Sequence, residues 1–228
     1  MTASTVPLMD IEEMAVPDAY RLLPRLIRDE RGCFYESYKY TELADATGHV
    51  FCPLQVNYSV SARDTLRGLH GVRHPPAQAK LVTCVRGVLW DVVVDVRPGS
   101  PAFGTYDVTR LDAREGTAVY VAEGLAHGFL ALTDDASICY LCSTEFVPGT
   151  QFGIDPFDPG LGVPWASVLS GPPLLSRKDA EAPSVREAAD RGLLADYQEC
   201  RALYARLRSQ AGRQDDTRSA AGFLPRRA

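Results

Sequence analysis

Residues 80–96 read KLVTCVRGVLWDVVVDV. The runs 81–85 and 88–96 are rich in Val and Leu, and Arg86-Gly87 separates them as a plausible turn. Branched side chains pack well on a pleated surface and crowd a helix, so short runs of this kind bounded by Gly or Pro read as strands. Arg97-Pro98-Gly99-Ser100-Pro101 then breaks the chain. The same signal recurs outward. Leu54, Val56, Tyr58 and Val60 alternate with polar or small residues, the period of a half-buried strand. Further strands are predicted near 103–112, 117–122, 128–133 and 136–146, with Thr133-Asp134-Asp135 as a turn. Closely spaced short strands with turn signals predict a mainly β sandwich or barrel rather than βαβ units.

The flanks are different. Residues 1–14 read as a loose leader, 20–28 as strand-like, 29–32 as a turn, 33–36 as extended and 39–46 as a short helix. The segment 150–176 is rich in Pro, Gly and Asp and is expected to wander over the surface. Leu193, Leu194, Tyr197, Cys200, Leu203, Tyr204 and Leu207 then recur at helical spacing. This predicts a C-terminal helix packed on the β domain, which spans 15–210. Residues 211–228 lack periodicity and are expected to form a mobile tail.

The 228 residues carry 24 basic and 29 acidic side chains, a formal net charge of −5. Hydrophobic content of 46% and charged content of 23% exclude wholesale disorder. The acidic total argues against a binder of nucleic-acid polymers, which usually presents a basic face. No run approaches the roughly 18 apolar residues of a membrane span, and no secretory signal precedes the six scattered cysteines. The expected compartment is therefore the reducing cytoplasm, with most cysteines as small core residues. Cys139 and Cys142 form a CxxC, but residues three apart on a strand point to opposite faces, which disfavours a metal or redox pair.

Unusual polar residues sit in or just after the β region: Arg67-Gly68-Leu69-His70, Gln78-Ala79-Lys80, Gly124-Leu125-Ala126-His127-Gly128-Phe129, Cys139-Tyr140-Leu141-Cys142 and Leu175-Ser176-Arg177-Lys178-Asp179. Singly, each has an ordinary structural explanation: a core histidine, a packed tyrosine, a solvated lysine, a helix-capping aspartate. Gathered inside a barrel, they supply what proton chemistry next to a carbonyl needs. That is a base near neutrality, a cation for the developing enolate and an acid on the opposite face.

In this order the motifs RGLH, PPAQAKLVTCVRG, DVVVDVRPGSPAFG, EGLAHGF, YLCS and LLSRKD resemble the dTDP-4-keto-6-deoxyglucose 3,5-epimerase family over about residues 15–205. The resemblance implies a cupin-like β jelly roll with a C-terminal helix, and a homodimer that exchanges N-terminal strands. It implies no cofactor, no metal and a dTDP-linked 4-keto sugar as substrate. By matched position, His70 resembles the base, Asp179 its dyad partner, Lys80 the cation beside the keto oxygen and Tyr140 the acid on the opposite face. Arg67, Arg31 and Glu36 resemble nucleotide or diphosphate contacts, and Phe34 would lie near the thymine. Gln55, Asn57 and His127 line the family pocket, with Asp91 as a partner behind them.

Phe146, counted with the substrate-binding residues, stands where the family often has Tyr. Gly71 replaces a bulky residue after RGLH, Arg73 a common Gln, and Ala166 the Pro of a Trp-Pro pair. These departures are expected to affect whether C3, C5 or both are inverted. Two other classes are weighed. A metal-dependent cupin needs a closely spaced HxH, but His70 and His74 are four apart and 71–76 reads as a loop. A non-catalytic sugar-nucleotide module would not require His70, Lys80, Tyr140 and Asp179 together. No GxGxxG or Walker segment is present.

Overall fold

The computed structural model describes residues 8–220. The strands in chain order are β1 (Met9–Glu13), β2 (Ala19–Pro24), β3 (Ile27–Asp29), β4 (Gly32–Phe34), β5 (Gln55–Ser61), β6 (Leu66–Val72), β7 (Lys80–Arg86), β8 (Val88–Val94), β9 (Tyr106–Asp112), β10 (Ala118–Val121), β11 (Ala126–Ala131), β12 (Ala136–Cys142) and β13 (Gln151–Gly153). The helices are α1 (Tyr40–Thr47), α2 (Arg177–Ala180), α3 (Val185–Asp190) and α4 (Tyr197–Ala220). A six-stranded sheet runs β1-β2-β10-β7-β12-β5, and a five-stranded sheet runs β13-β6-β11-β8-β9. The two pack face to face as a jelly roll, and β3 and β4 form a separate hairpin.

The two runs of 80–96 form strands as predicted, but they lie in different sheets. Gly87 is therefore a crossing between layers rather than a hairpin turn. Its φ is +76°, and a Cβ there would lie 2.2 Å from Thr133 Oγ1, so only glycine fits without displacement. Inside, Val82, Ile138 and Val119 of one sheet meet Leu89, Val93, Leu111 and Phe129 of the other, all buried. Away from bulges, each strand presents every second residue to this layer.

A second core lies on the outer face of the five-stranded sheet. Phe152, Ile154, Leu161, Val163 and Trp165 are buried there with Val92, Val94 and Leu130. The Trp90 and Trp165 rings meet edge to face at 5.1 Å. The expectation that 150–176 wanders over the surface is thus corrected: its apolar residues, spaced among Pro and Asp, cover a sheet face. On the outer face of the six-stranded sheet, Tyr204 and Cys200 of α4 are buried as the helical spacing predicted, but Leu193 and Leu194 precede the helix and pack against the second core.

The loose leader is also corrected. Met9–Glu13 pairs with β2 in antiparallel register, and Met9 and Met14 are buried. Residues 1–7 lie outside the described residues. The backbone expected as a mobile tail from 211 stays helical to Ala220, in keeping with the Gln, Arg and Ala in that stretch. Residues 221–228 lie outside the described residues. No helix among the described residues is long and apolar enough to cross a membrane.

Candidate active site

The motif Arg67-Gly68-Leu69-His70 lies on β6, which pairs with β11. Arg67 opposes Phe129 and His70 opposes His127, so Gly68 and Leu69 together face the single Gly128. This is a β-bulge, a device that re-aims side chains. On a regular strand, residues three apart would point to opposite faces; the bulge turns both Arg67 and His70 to the inter-sheet cavity. Gly68 has φ +122°, and a Cβ there would sit 2.6 Å from Gly128 Cα. The close strand approach thus excludes a side chain. No strand was predicted over 66–72, because its glycines and arginine lack the β-branched signature.

His70 Nε2 lies 2.6 Å from Asp179 Oδ1. Asp179 belongs to the short helix α2, whose N-cap Ser176 accepts its amide at 3.1 Å. Burial alone would raise the Asp179 carboxyl. The hydrogen bond and charge of His70, with donors from Ser176 and the Gly68 amide, hold it below the ordinary value. Beside this pair, His127 Nε2 lies 2.6 Å from Asp91 Oδ2. Asp91 is fully buried, and its Oδ1 has no partner among the described residues.

The six-stranded sheet supplies the facing wall. Cys142 opposes Lys80, and Tyr140 opposes Asn57. The period-two rule therefore brings Lys80, Tyr140, Cys142, Asn57 and Ser59 to one face. The Tyr140 and His127 rings meet edge to face at 6.2 Å. Burial pushes the Tyr140 hydroxyl up to about 12, against the pull of Ser59 and Arg67. Burial also lowers the Lys80 ammonium; Cys142 opposes this shift and Lys178 adds to it.

Between the walls is a cavity of about 340 Å³, within the roughly 300–1,000 Å³ of small-molecule sites. It is lined by the predicted His70, Asp179, Lys80, Tyr140, Arg67, Asn57 and His127. It also receives Ser59, Cys142, Gln151, Ser176 and Lys178, which sequence reasoning did not assign. Ser59 and Cys142 were recoverable, since each stands two positions from a predicted residue on the same strand. Gln151 was not, because β13 has only three residues.

Other predicted residues lie elsewhere. Gln55 does not line the cavity; its amide nitrogen donates to Asn57 Oδ1 at 2.9 Å, and its carbonyl accepts the Phe146 amide at 2.7 Å. Phe146 is 54% exposed outside the cavity. Arg31 and Phe34 lie on the β3–β4 hairpin, where Arg31 pairs with Asp29 and Phe34 is 63% exposed. Glu36 follows the hairpin, with Oε2 buried and unpartnered among the described residues. The CxxC splits as expected: Cys139 opposes Tyr58 on the outer face, and Cys142 faces Lys80. Among the described residues, no three His, Cys, Asp or Glu converge to hold a metal.

Gly71 lines the cavity with its backbone, but the side chain it lacks would point away from that wall. It opposes Phe152 across β6 and β13, on the face turned to the second core. A Cβ at Gly71 would lie 2.1 Å from Phe152 Cζ, so the ring fills the space that a larger residue would need. Trp165 likewise sits in the second core and donates to the Pro156 carbonyl at 2.8 Å. Gly71→Phe is expected to cost about 2–3 kcal/mol through overpacking, and Phe152→Ala about 3–5 kcal/mol through a cavity. The double variant should cost clearly less than the sum in urea unfolding; additive costs would refute the packing exchange.

A jelly roll whose facing sheets bring a histidine, a lysine and a tyrosine to one cavity, with a helical carboxylate paired to the histidine, defines a cupin-like acid–base enzyme. Comparison with known proteins narrows the class. The model of the family described as dTDP-4-dehydrorhamnose 3,5-epimerase matches residues 13–187. A dTDP-4-dehydrorhamnose 3,5-epimerase from Mycolicibacterium smegmatis is 43% identical over 200 residues, 88% of this chain and 98% of the relative. A dTDP-4-dehydrorhamnose 3-epimerase from Streptomyces niveus is 43% identical over 195 residues, 86% of this chain and 93% of the relative. The crystal structure of a 3'-monoepimerase from Streptomyces bikiniensis in complex with dTDP-quinovose superposes with a TM-score of 0.82 at 41% identity, covering 86% of this chain and 98% of that one. The chain belongs to the dTDP-4-dehydrorhamnose 3,5-epimerase family.

Proposed function

We propose that the chain epimerises a dTDP-linked 4-keto-6-deoxyhexose at C3, C5 or both, in rhamnose-type or antibiotic deoxysugar synthesis. One observation carries this reading: His70 and Tyr140 reach the same cavity from opposite sheets. Removing a proton from one face and returning one to the other inverts a carbon.

The substrate's C4 ketone acidifies the neighbouring C–H bonds. Asp179 accepts from His70 Nε2, which fixes the imidazole and leaves Nδ1 to take the substrate proton. The C–H electron pair moves into the enolate, whose oxygen is stabilised by Lys80. The Tyr140 hydroxyl, protonated at neutral pH, gives its proton to the opposite face. His70 then loses a proton to solvent and Tyr140 regains one, so no oxidant or reductant is needed. His127, held by Asp91, orients the sugar. Arg67 and Lys178 supply local positive charge for the diphosphate against a net chain charge of −5.

Arg31, Phe34 and Glu36 do not line the cavity of their own chain. We propose a homodimer in which the N-terminal strands and the β3–β4 hairpin carry them to the partner's site. Exposed Ile27 and Phe34 on the hairpin support this reading, as do exposed Leu54, Val56, Tyr58 and Val60 along the edge strand β5. Light scattering should give a dimer mass; a monomer active at nanomolar concentration would refute it. The cytoplasm is the proposed compartment, since Cys84, Cys142 and Cys200 are buried free thiols.

Tyr140→Phe should separate the two half-reactions. Solvent deuterium exchange at the carbon served by His70 should persist, while net inversion falls by about 10²-fold or more. Equal loss of both, or loss of neither, would remove Tyr140 from the acid's role.

A further inference from the structure

Behind the catalytic cavity lies a second one of about 220 Å³. The ends of β7 and β12 separate the two: Ala79 donates to Ser143 Oγ at 2.8 Å, and the Gln78 side chain donates to the Thr144 carbonyl at 2.8 Å. One wall of this rear cavity is apolar, made by Phe51, Pro76 and, on α4, Leu203 and Leu207. The other contains Glu123, which is 6% exposed and whose Oε2 has no hydrogen-bond partner among the described residues. The Glu123 amide is the carboxyl's one backbone donor, and leaving the other oxygen buried without one is costly, so the group calls for a cationic or hydrogen-bonding occupant. A divalent metal needs several oxygen ligands, whereas a single carboxylate facing an apolar wall matches one ammonium on an apolar body. The volume lies below the roughly 300 Å³ lower bound of drug-sized sites, so the occupant is small.

We propose that this rear cavity is a binding site for a compact primary amine, its ammonium on Glu123 and its apolar body against Phe51, Leu203 and Leu207. The electrostatics agree. Burial pushes the Glu123 carboxyl up to about 7, and Asp18 adds to the shift. The other titratable or charged groups around it among the described residues include Tyr120, His49 and Cys52 from the sheet and the α1 side, Cys200, Tyr204 and Arg208 from α4, and Arg97, whose guanidinium is already paired with Asp95 and Asp18. Burial lowers His49 and so favours its neutral form. An ammonium ligand would hold Glu123 ionised, so binding should strengthen as pH rises through the Glu123 range while the amine stays protonated.

The test is titration of the full-length protein with benzylamine, followed by NMR, with benzyl alcohol as the neutral control. Saturable benzylamine binding is expected, at least about tenfold tighter than benzyl alcohol, as a charge-assisted bond requires. It should tighten between about pH 6 and about pH 8, weaken at least tenfold in Glu123→Gln, and be unchanged by excess dTDP. Equal binding of the alcohol, unaltered binding in Glu123→Gln, displacement by dTDP, or no saturable binding would each overturn the proposal. Should Glu123→Gln not fold, Leu207→Trp tests the opposite wall by filling it: loss of benzylamine binding supports the site, and retained binding overturns it.

Discussion

His70→Ala is expected to abolish solvent exchange at every carbon of the sugar and to lower turnover by about 10³-fold or more, the upper range for losing a positioned general base. The effect should exceed that of any other single cavity substitution, because inversion cannot begin without deprotonation. Substrate binding should survive, since Arg67, Lys80 and Lys178 still line the cavity. Asp179→Asn should follow with a smaller loss, because it removes the orienting charge 2.6 Å from the ring but leaves the imidazole. Exchange and turnover measured on dTDP-4-keto-6-deoxyglucose decide the matter. Near-normal turnover in His70→Ala would place the base elsewhere.

A large effect on stability is expected at Arg97. This guanidinium has no solvent exposure, yet it pairs with Asp95 at 2.7 Å and Asp18 at 2.8 Å and bonds Tyr204 Oη at 3.3 Å. It joins the segment before β2, the loop after β8 and helix α4, with the Tyr197 ring 5.2 Å away. The hydrogen bonds and charge of Asp95 outweigh burial and hold the guanidinium firmly protonated. Arg97→Met keeps much of the volume but leaves Asp95, itself fully buried, without its counter-charge. Breaking a buried pair in this way costs about 3–5 kcal/mol. For a chain of this size that lowers the melting midpoint by roughly 10 °C. A shift of only a degree or two in thermal unfolding would mean that the pair is relieved by water or rearrangement.

The strands most legible in the sequence were those where burial and β-branching coincide, as in β7, β8 and β12. β6 was missed because Gly68 and the bulge beside it erase the strand signature. The layer change at Gly87 was hidden for another reason: Arg-Gly between two strand-like runs looks the same whether the strands pair or cross between sheets. In 150–176, the turn residues masked the apolar ones that close the second core. The candidate site was legible mainly as a string of motifs. Their order identified His70, Lys80, Tyr140 and Asp179 through family resemblance, and the structure brings all four to one cavity. Long-range geometry supplied what no local pattern holds: the opposed walls, the Asp91–His127 pair, and the distance of Phe146 and the β3–β4 hairpin from that cavity.

The number of centres inverted does not follow from similarity, since a 3,5-epimerase and a 3-epimerase are each 43% identical to this chain. The Gly71 backbone lines the cavity but a Cβ there would point to Phe152 in the second core, and Phe146 is exposed outside the cavity, so neither departure changes a side chain in the cavity wall. The central claim is proton removal and return at a carbon next to the ketone. Carbon-resolved NMR of dTDP-4-keto-6-deoxyglucose incubated with the protein in D2O tests it most directly. The account predicts deuterium at C3, C5 or both, with an inverted product; bound substrate with no exchange at either carbon would contradict it.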